Sequence, residues 1–337
     1  MKLNKILFIL LIVITLIIGF TFIIKNKNIL KQNSDDTINI VFTTDKYYKN
    51  YLKVAIQSAY MNKKPESKYN ISILCVDLQP KEVEEYKKFE HENFKINPIS
   101  VSLNEIDEIG KFEVSNHVSR ADLFKFKMPI IFQDYDKILY IDSDTLILND
   151  LSDLYNTPLN NKYIAVRMQE NVDIKKFWYT YDISFEFING YIDYNCGVIL
   201  FNLKKMREDK IWEKLIDSKN NDTSRTLMTQ SAFNDVIPAK TVQEISPIYN
   251  FVPRMGDKKY YNTTFKNTYP RFKYKSYEDY INSIVIMHWA GFQKPWSYPK
   301  VFYANKWWKY ANMIDKNWKP EKPDYSGATS NFIPPEI

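Results

Sequence analysis

Two carboxylates, Asp142 and Asp144, close the apolar run Lys137-Ile-Leu-Tyr-Ile141. Side chains of a strand alternate between its faces, so acids at i and i+2 leave the same side where the strand gives way to loop. Hard divalent cations take paired oxygen ligands of this kind. The run lacks the polar alternation of a half-exposed strand and reads as buried on both faces, and open α/β sheets carry their ligands at the carboxyl ends of such strands. An isolated Asp-x-Asp is equally well explained by two solvated loop acids. The remaining segments decide between these readings.

Three further clusters carry groups that can act beside such a site. His288, one of three histidines, opens the loop Trp-Ala-Gly291-Phe-Gln-Lys294-Pro-Trp296. Taken alone, that histidine is more readily a core or loop residue than a ligand. Asn195-Cys-Gly197 leads into the apolar run Val198-Ile-Leu-Phe-Asn202, and in a chain with only seven glycines a glycine within a strand marks close backbone approach or a bulge. Thr43 and Asp45 end the segment beginning at Asn39, with Tyr48 just beyond, which by itself is a plausible surface aromatic among 25 tyrosines.

Positioning these groups requires alternating strands and helices. Asn39 to Asp45 reads as a strand, and Leu52, Ala55, Ile56 and Ala59 follow at helical spacing. Asn70 to Asp77 and Phe94 to Val101 are further strands, separated by a charged helix that Pro80 opens and that runs to about His91. Ser119 to Phe132 predicts a helix with a capping box, Ser119 reaching over to Asp122. Leu151 to Tyr155 is a short helical turn and Tyr163 to Val166 a strand. Tyr194 to Asn202 is a second apolar strand, followed by helices from Leu203 to about Ser218 and from Leu227 to Val236, and by the strand Ile284 to His288. Asn171 to Tyr191 is the candidate for a mobile loop over the site. This alternation predicts an α/β fold with a mainly parallel, Rossmann-like sheet and helices on both faces.

The chain of 337 residues, 45% apolar and 16% aromatic, has material for one large domain. Its net charge of +6 is concentrated at one end: Lys2, Lys5, Lys25, Lys27 and Lys31 precede the first acid, Asp35, and leave +1 for the remainder. That excludes a basic nucleic-acid surface on the folded part. Ile6 to Ile24 is an uncharged run of 19 residues, near the roughly 20 that cross a bilayer and longer than the hydrophobic region of a cleaved signal peptide. Residues 1–25 are therefore expected to be a transmembrane anchor, 26–37 a linker, 38–318 the globular domain and 319–337 a loosely held tail. Trp307, Trp308 and Tyr310, beside Lys306 and Lys309, either touch the bilayer surface or cap the core. Cys75 and Cys196 lie far apart and read as buried free thiols.

In this order and at these spacings, four segments resemble the retaining sugar-nucleotide glycosyltransferases of family 8, the group containing glycogenin and bacterial lipopolysaccharide galactosyl- and glucosyltransferases. They are Val41-Phe-Thr-Thr-Asp45 with Tyr48; His117-Val-Ser through Lys125 into Asp142-Ser-Asp144; Asn195-Cys-Gly-Val-Ile-Leu-Phe-Asn-Leu203; and His288 through Trp296. The resemblance implies a GT-A type single domain carrying a nucleotide at the carboxyl edge of its sheet. It implies a divalent ion, Mn²⁺ or Mg²⁺, on Asp142, Asp144 and His288, an oxygen and imidazole set that suits such metals. It further implies Thr43, Asp45 and Tyr48 at the base and ribose of a UDP-sugar, Lys125 and Asn195 at the donor, and Gly291 and Lys294 at its phosphates. At the position of Lys125 many members carry arginine, while glycogenin-like members carry lysine.

One departure concerns the donor sugar. Where the family commonly has Asp-Gln-Asp, with the first acid binding the transferred sugar, this chain has Thr229-Gln230-Ser231. Gln230 is then the catalytic candidate beneath the anomeric carbon. The expected activity is transfer of a hexose from a UDP-sugar to a glycan or glycolipid hydroxyl at a lipid bilayer. The rivals are a non-catalytic nucleotide- or glycan-binding protein, suggested by the missing acids, and a sugar-phosphate nucleotidyltransferase, which would need the glycine-rich loop that Phe42 to Lys49 lacks. The scarcity of cysteines favours a bacterial inner membrane with the domain in the cytoplasm. A Golgi-lumen location is the alternative, with Asn70, Asn221 and Asn262 each heading an Asn-x-Ser/Thr triplet.

Overall fold

The structure, a computed structural model, describes residues 37–102, 104–105, 119–168, 194–221, 228–291 and 293–321. The expected anchor, most of the linker, His117, the loop 171–191 and residues 322–337 lie outside this set. Among the described residues no helix is long and apolar enough to cross a membrane.

The apolar runs form strands β1 (Thr37–Thr44), β2 (Lys68–Val76), β3 (Phe94–Val101), β4 (Lys137–Ile141), β5 (Thr145–Ile147), β6 (Ile164–Val166), β7 (Val198–Asn202), β8 (Val242–Glu244) and β9 (Ile286–His288). Seven of them make one sheet in the order β3-β2-β1-β4-β7-β6-β8, and β5 pairs with β9 in a second. The large sheet is mostly parallel, as the alternation predicts: β1 runs parallel to β2 and β4, β2 to β3, and β6 to β8. β7 is antiparallel to its neighbours β4 and β6.

Successive residues divide between the two sheet faces. Leu139 and Ile141 of β4 join Ile40, Phe42 and Ile71 beneath helix α1 (Lys49–Asn62), whose Leu52, Ala55, Ile56 and Ala59 supply the opposite wall. Ile138 and Tyr140 face the other way, onto Phe124 and Met128 of α2 (Phe124–Ile131), Leu215 of α3 (Ile211–Asn221) and Phe233 of α4 (Met228–Val236). Covering both faces is what makes β4 apolar along its length.

The sequence reading fails in detail where side chains find tertiary partners. The segment after Ser119 starts as a 3-10 turn, Arg120–Leu123, before α2. Ser119 Oγ accepts from the Ala121 amide, while the Asp122 carboxylate turns inward to Lys125 and forms no capping box. The charged helix shortens to Pro80–Glu84 and continues as a 3-10 turn, Glu85–Phe89. The helix after Leu203 stops at Glu208 and resumes as α3, with Lys210 at φ +50° between the two. The Asp-x-Asp segment does not run out into a loop: three residues after Ile141 it re-enters a strand, β5.

A third, aromatic layer closes the molecule beyond β9. On α5 (Ala304–Ile314), Trp307 and Tyr310 are buried and Trp308 is half-buried, so this stretch caps the core. Trp296 stacks on Tyr51 with ring centroids 3.7 Å apart, and the Tyr51 hydroxyl donates to Glu321, which ties down the start of the expected tail.

Asp150 braces the turn after β5. It accepts from the Lys64 amide, the Tyr69 hydroxyl and the Ser152 amide and hydroxyl. Burial alone would raise its pKa, but the hydrogen bonds from Ser152 and Lys64 outweigh burial and hold the carboxyl down at about 2. The stability it contributes is thus complete above the unfolded-state value near 4 and lost as pH falls toward 2. For this partly exposed group the contribution is about 1 kcal/mol after solvent screening. In urea titrations Asp150→Asn should be less stable than wild type by that amount at pH 7, with the gap closing between pH 4 and pH 2.

Candidate metal and nucleotide site

The turn between β4 and β5 presents Asp142 and Asp144, and the β5–β9 pairing delivers their partner. Thr145 is paired with His288, and the Trp289 amide donates to the Asp144 carbonyl at 3.1 Å. His288 Nε2 thereby lies 3.2 Å from Asp144 Oδ1 and 3.8 Å from Asp142 Oδ2. Ligand atoms of the three side chains all fall within 4.8 Å of one another, the one such three-residue grouping among the described residues. Asp144 Oδ1 is buried and accepts no hydrogen bond.

A chain of hydrogen bonds fixes which nitrogen of His288 faces the acids. The Gly197 amide, which can only donate, reaches Asn195 Oδ1 at 3.0 Å. The same oxygen accepts from Asn250 Nδ2 at 3.0 Å, so the Asn250 carbonyl oxygen must be the atom 2.9 Å from His288 Nδ1. Nδ1 therefore carries a proton, which leaves Nε2 as the ring nitrogen that faces the two carboxylates and could ligate a cation. Asp144 Oδ1, buried without a hydrogen-bond donor and 3.2 Å from that nitrogen, is an acceptor that a cation shared with Nε2 would satisfy. The donor set of two carboxylates and one imidazole thus fits a divalent ion.

Gly197 also makes room. Its carbonyl accepts from the Asp142 amide at 2.8 Å, continuing the β4–β7 ladder. A Cβ at this position would overlap the His288 ring and stand 2.8 Å from Asp142 Oδ2. Close approach, expected of a glycine in this strand, is what the fold uses it for.

Lysines flank the acids on both sides. Lys294 pairs with Asp144 and donates to the Trp289 carbonyl at 2.8 Å. Burial would raise the Asp144 pKa and lower that of Lys294, but their attraction outweighs it, holding the carboxyl below and the ammonium above their ordinary ranges. Lys125, buried beside the Tyr140 ring, bridges Asp122 and Asp142, the latter at 3.0 Å. With His288 neutral, three carboxylates and two ammonium groups leave this set one negative charge. A bound dication would make it positive, the sign required to hold a diphosphate.

The other expected residues surround this centre. Thr43 Oγ1 is 2.8 Å from the Tyr140 hydroxyl, which donates to Asp142 Oδ1. Asp45 accepts from the amides of Tyr47 and Tyr48 and from the Ser119 hydroxyl, organising the entry to α1. Tyr48 sits edge-on to Trp296 with its ring 6.0 Å from Lys294 Nζ. Gln230 Oε1 is 3.5 Å from Asn195 Nδ2. Gly291 has φ +91° and open space around it, so glycine serves the turn here. Asn250, in a segment without a motif, was not anticipated; Tyr140 was read only as a strand residue and Asp122 only as a cap.

The mostly parallel sheet with its acidic strand end and imidazole is a GT-A-like α/β architecture. Residues 39–300 match the family profile described as glycosyl transferase family 8, and the chain belongs to that family. A putative glycosyltransferase of Haemophilus influenzae is 27% identical over 223 residues, which span 66% of this chain and 65% of the relative. Lipopolysaccharide 1,2-glucosyltransferase of Escherichia coli is 24% identical over 299 residues, 86% of this chain and 82% of the relative. The galactosyltransferase LgtC, solved with donor and acceptor sugar analogs, superimposes with a TM-score of 0.63 at 22% identity, covering 82% of this chain and 96% of LgtC.

Replacing Asn250 by alanine removes the acceptor for His288 Nδ1 and should weaken Mn²⁺ binding about 10- to 100-fold. Gly197→Ala should weaken it further, because the ligand geometry itself is displaced. Calorimetric titration of the folded variants with Mn²⁺ measures both.

Proposed function

We propose that this family 8 glycosyltransferase is a metal-dependent, retaining hexosyltransferase that uses a UDP-sugar donor and a glycan or glycolipid hydroxyl as acceptor. The observation that carries the reading is the converging of Asp142, Asp144 and His288 Nε2 around a buried carboxylate oxygen that lacks a donor. A divalent ion held there would supply Lewis-acid charge to the diphosphate of the donor. Lys294 and Lys125 add fixed positive charge on either side, Gly291 lets the backbone pass close to the phosphates, and Thr43, Asp45 and Tyr48 line the place assigned to base and ribose.

We assign Gln230 and Asn195, whose side-chain amides lie 3.5 Å apart, to the donor sugar. An amide is a poor nucleophile, so we assign retention to attack on the same face as departure: the acceptor oxygen bonds to the anomeric carbon, the bond from that carbon to the phosphate oxygen breaks, and the hydroxyl proton passes to the departing phosphate. LgtC, with the same fold, is known in a form described as an active-site mutant in which glutamine is replaced by glutamate, which supports giving Gln230 a place at the reacting centre. In this reading residues 38–318 are one GT-A domain, and Ile6 to Ile24 anchor it where a membrane-bound acceptor is found. The buried free thiols Cys75 and Cys196 favour the cytoplasmic side of a bacterial inner membrane.

The test is UDP release by the purified full chain with Mn²⁺ and a panel of UDP-hexoses. Release that needs metal and falls at least about 100-fold in Asp142→Asn/Asp144→Asn supports the reading. A folded protein that binds neither UDP nor Mn²⁺ overturns it.

A further inference from the structure

The segment Thr229-Gln230-Ser231 brings no carboxylate to the sugar side of the site, but another element does. Thr229 is buried, and its hydroxyl donates to Asp122 Oδ2. The other oxygen, Oδ1, takes Lys125, whose ammonium is also 3.0 Å from Asp142 Oδ1. Asp122 is therefore one ammonium group away from the metal-binding pair and in direct contact with the residue preceding Gln230. Its side chain keeps 17% of its surface exposed while Lys125 keeps 2%, so Asp122, not the lysine, is the member of the pair that reaches the surface here.

Holding Lys125 does not require a second acid, because Asp142 already faces it. A further carboxylate adds like-charge repulsion with Asp142 and a desolvation cost. Each carboxylate oxygen has room for two donors, and each oxygen of Asp122 has one side-chain partner among those described, leaving acceptor capacity on both. Paired acceptors of this kind match the vicinal hydroxyls of a hexose.

We infer that Asp122 is a specificity-determining residue that accepts hydrogen bonds from hydroxyls of the donor sugar, supplying from the Arg120–Leu123 turn the carboxylate that the Thr229-Gln230-Ser231 segment lacks. This rests on the proposed UDP-sugar activity. It predicts that the carboxylate can be moved across the Asp122–Thr229 contact without loss of sugar recognition, whereas removing it from both sides abolishes that recognition.

The experiment compares binding of UDP with binding of the 2-deoxy-2-fluoro analogues of UDP-glucose and UDP-galactose, each with Mn²⁺, by calorimetry on the full chain. Thermal melts verify that each variant is folded. In Asp122→Asn the affinity for the preferred sugar analogue should fall at least about tenfold while that for UDP changes less than about threefold. The exchange Asp122→Thr/Thr229→Asp should recover most of the loss, and it remains informative if the single variant does not fold. Equal weakening of UDP and its sugar analogues would show that Asp122 only positions Lys125, and would overturn the inference, as would an unchanged sugar preference in Asp122→Asn. Wild-type protein binding neither UDP nor Mn²⁺ overturns the UDP-sugar reading itself, before any variant is compared.

Discussion

The site depends on one backbone amide. Gly197 N–H has a single chemical option, to donate, and through Asn195 and Asn250 that option is passed on until His288 must donate through Nδ1 and turn Nε2 to the acids. Each side chain along the way is an amide or imidazole that by itself can be turned over at little cost. The strand fixes the first donor, and the others follow from it. Because Gly197 also lies opposite Asp142 in the β4–β7 ladder, the same residue sets the tautomer of one ligand and the backbone position of another.

Opposite charges pair along the rest of the centre, Lys125 between Asp122 and Asp142 and Lys294 on Asp144, with the two metal-facing acids side by side. Buried charges in such a row are stabilised only as a row, since removal of one leaves its neighbour without compensation. Lys294 currently occupies Asp144 Oδ2, whereas Oδ1 is left toward His288. One carboxylate can thus serve a lysine and a cation at the same time, one oxygen for each.

Much of this was legible from sequence. The continuous apolar runs placed β1, β2, β4 and β7, because strands buried on both faces leave no polar alternation to confuse the reading. Asp142, Asp144, Gly197 and His288 stood out by residue type and by position at strand ends. What was not legible came from tertiary pairing. β8 and β5 are three residues each, too short to carry a period, and exist because neighbouring strands complete their hydrogen bonds. Asn250 lies 38 residues from the histidine it orients, in a segment with no motif. Asp122 was read as a capping residue, the role its spacing from Ser119 suggests, yet a buried lysine is a stronger partner than a backbone amide.

The β5–β9 pairing has a consequence for the order of events in biogenesis. Asp144 and His288 meet only when the late strand β9 closes on β5, a contact of high sequence separation whose loop-closure cost is met after the local strands and helices have formed. A nascent chain interrupted anywhere before β9 can assemble β1 to β4 but has no imidazole and no Lys294 to set beside its two acids. A divalent ion held by these three ligands would therefore find its complete site only once nearly the whole domain has been synthesised.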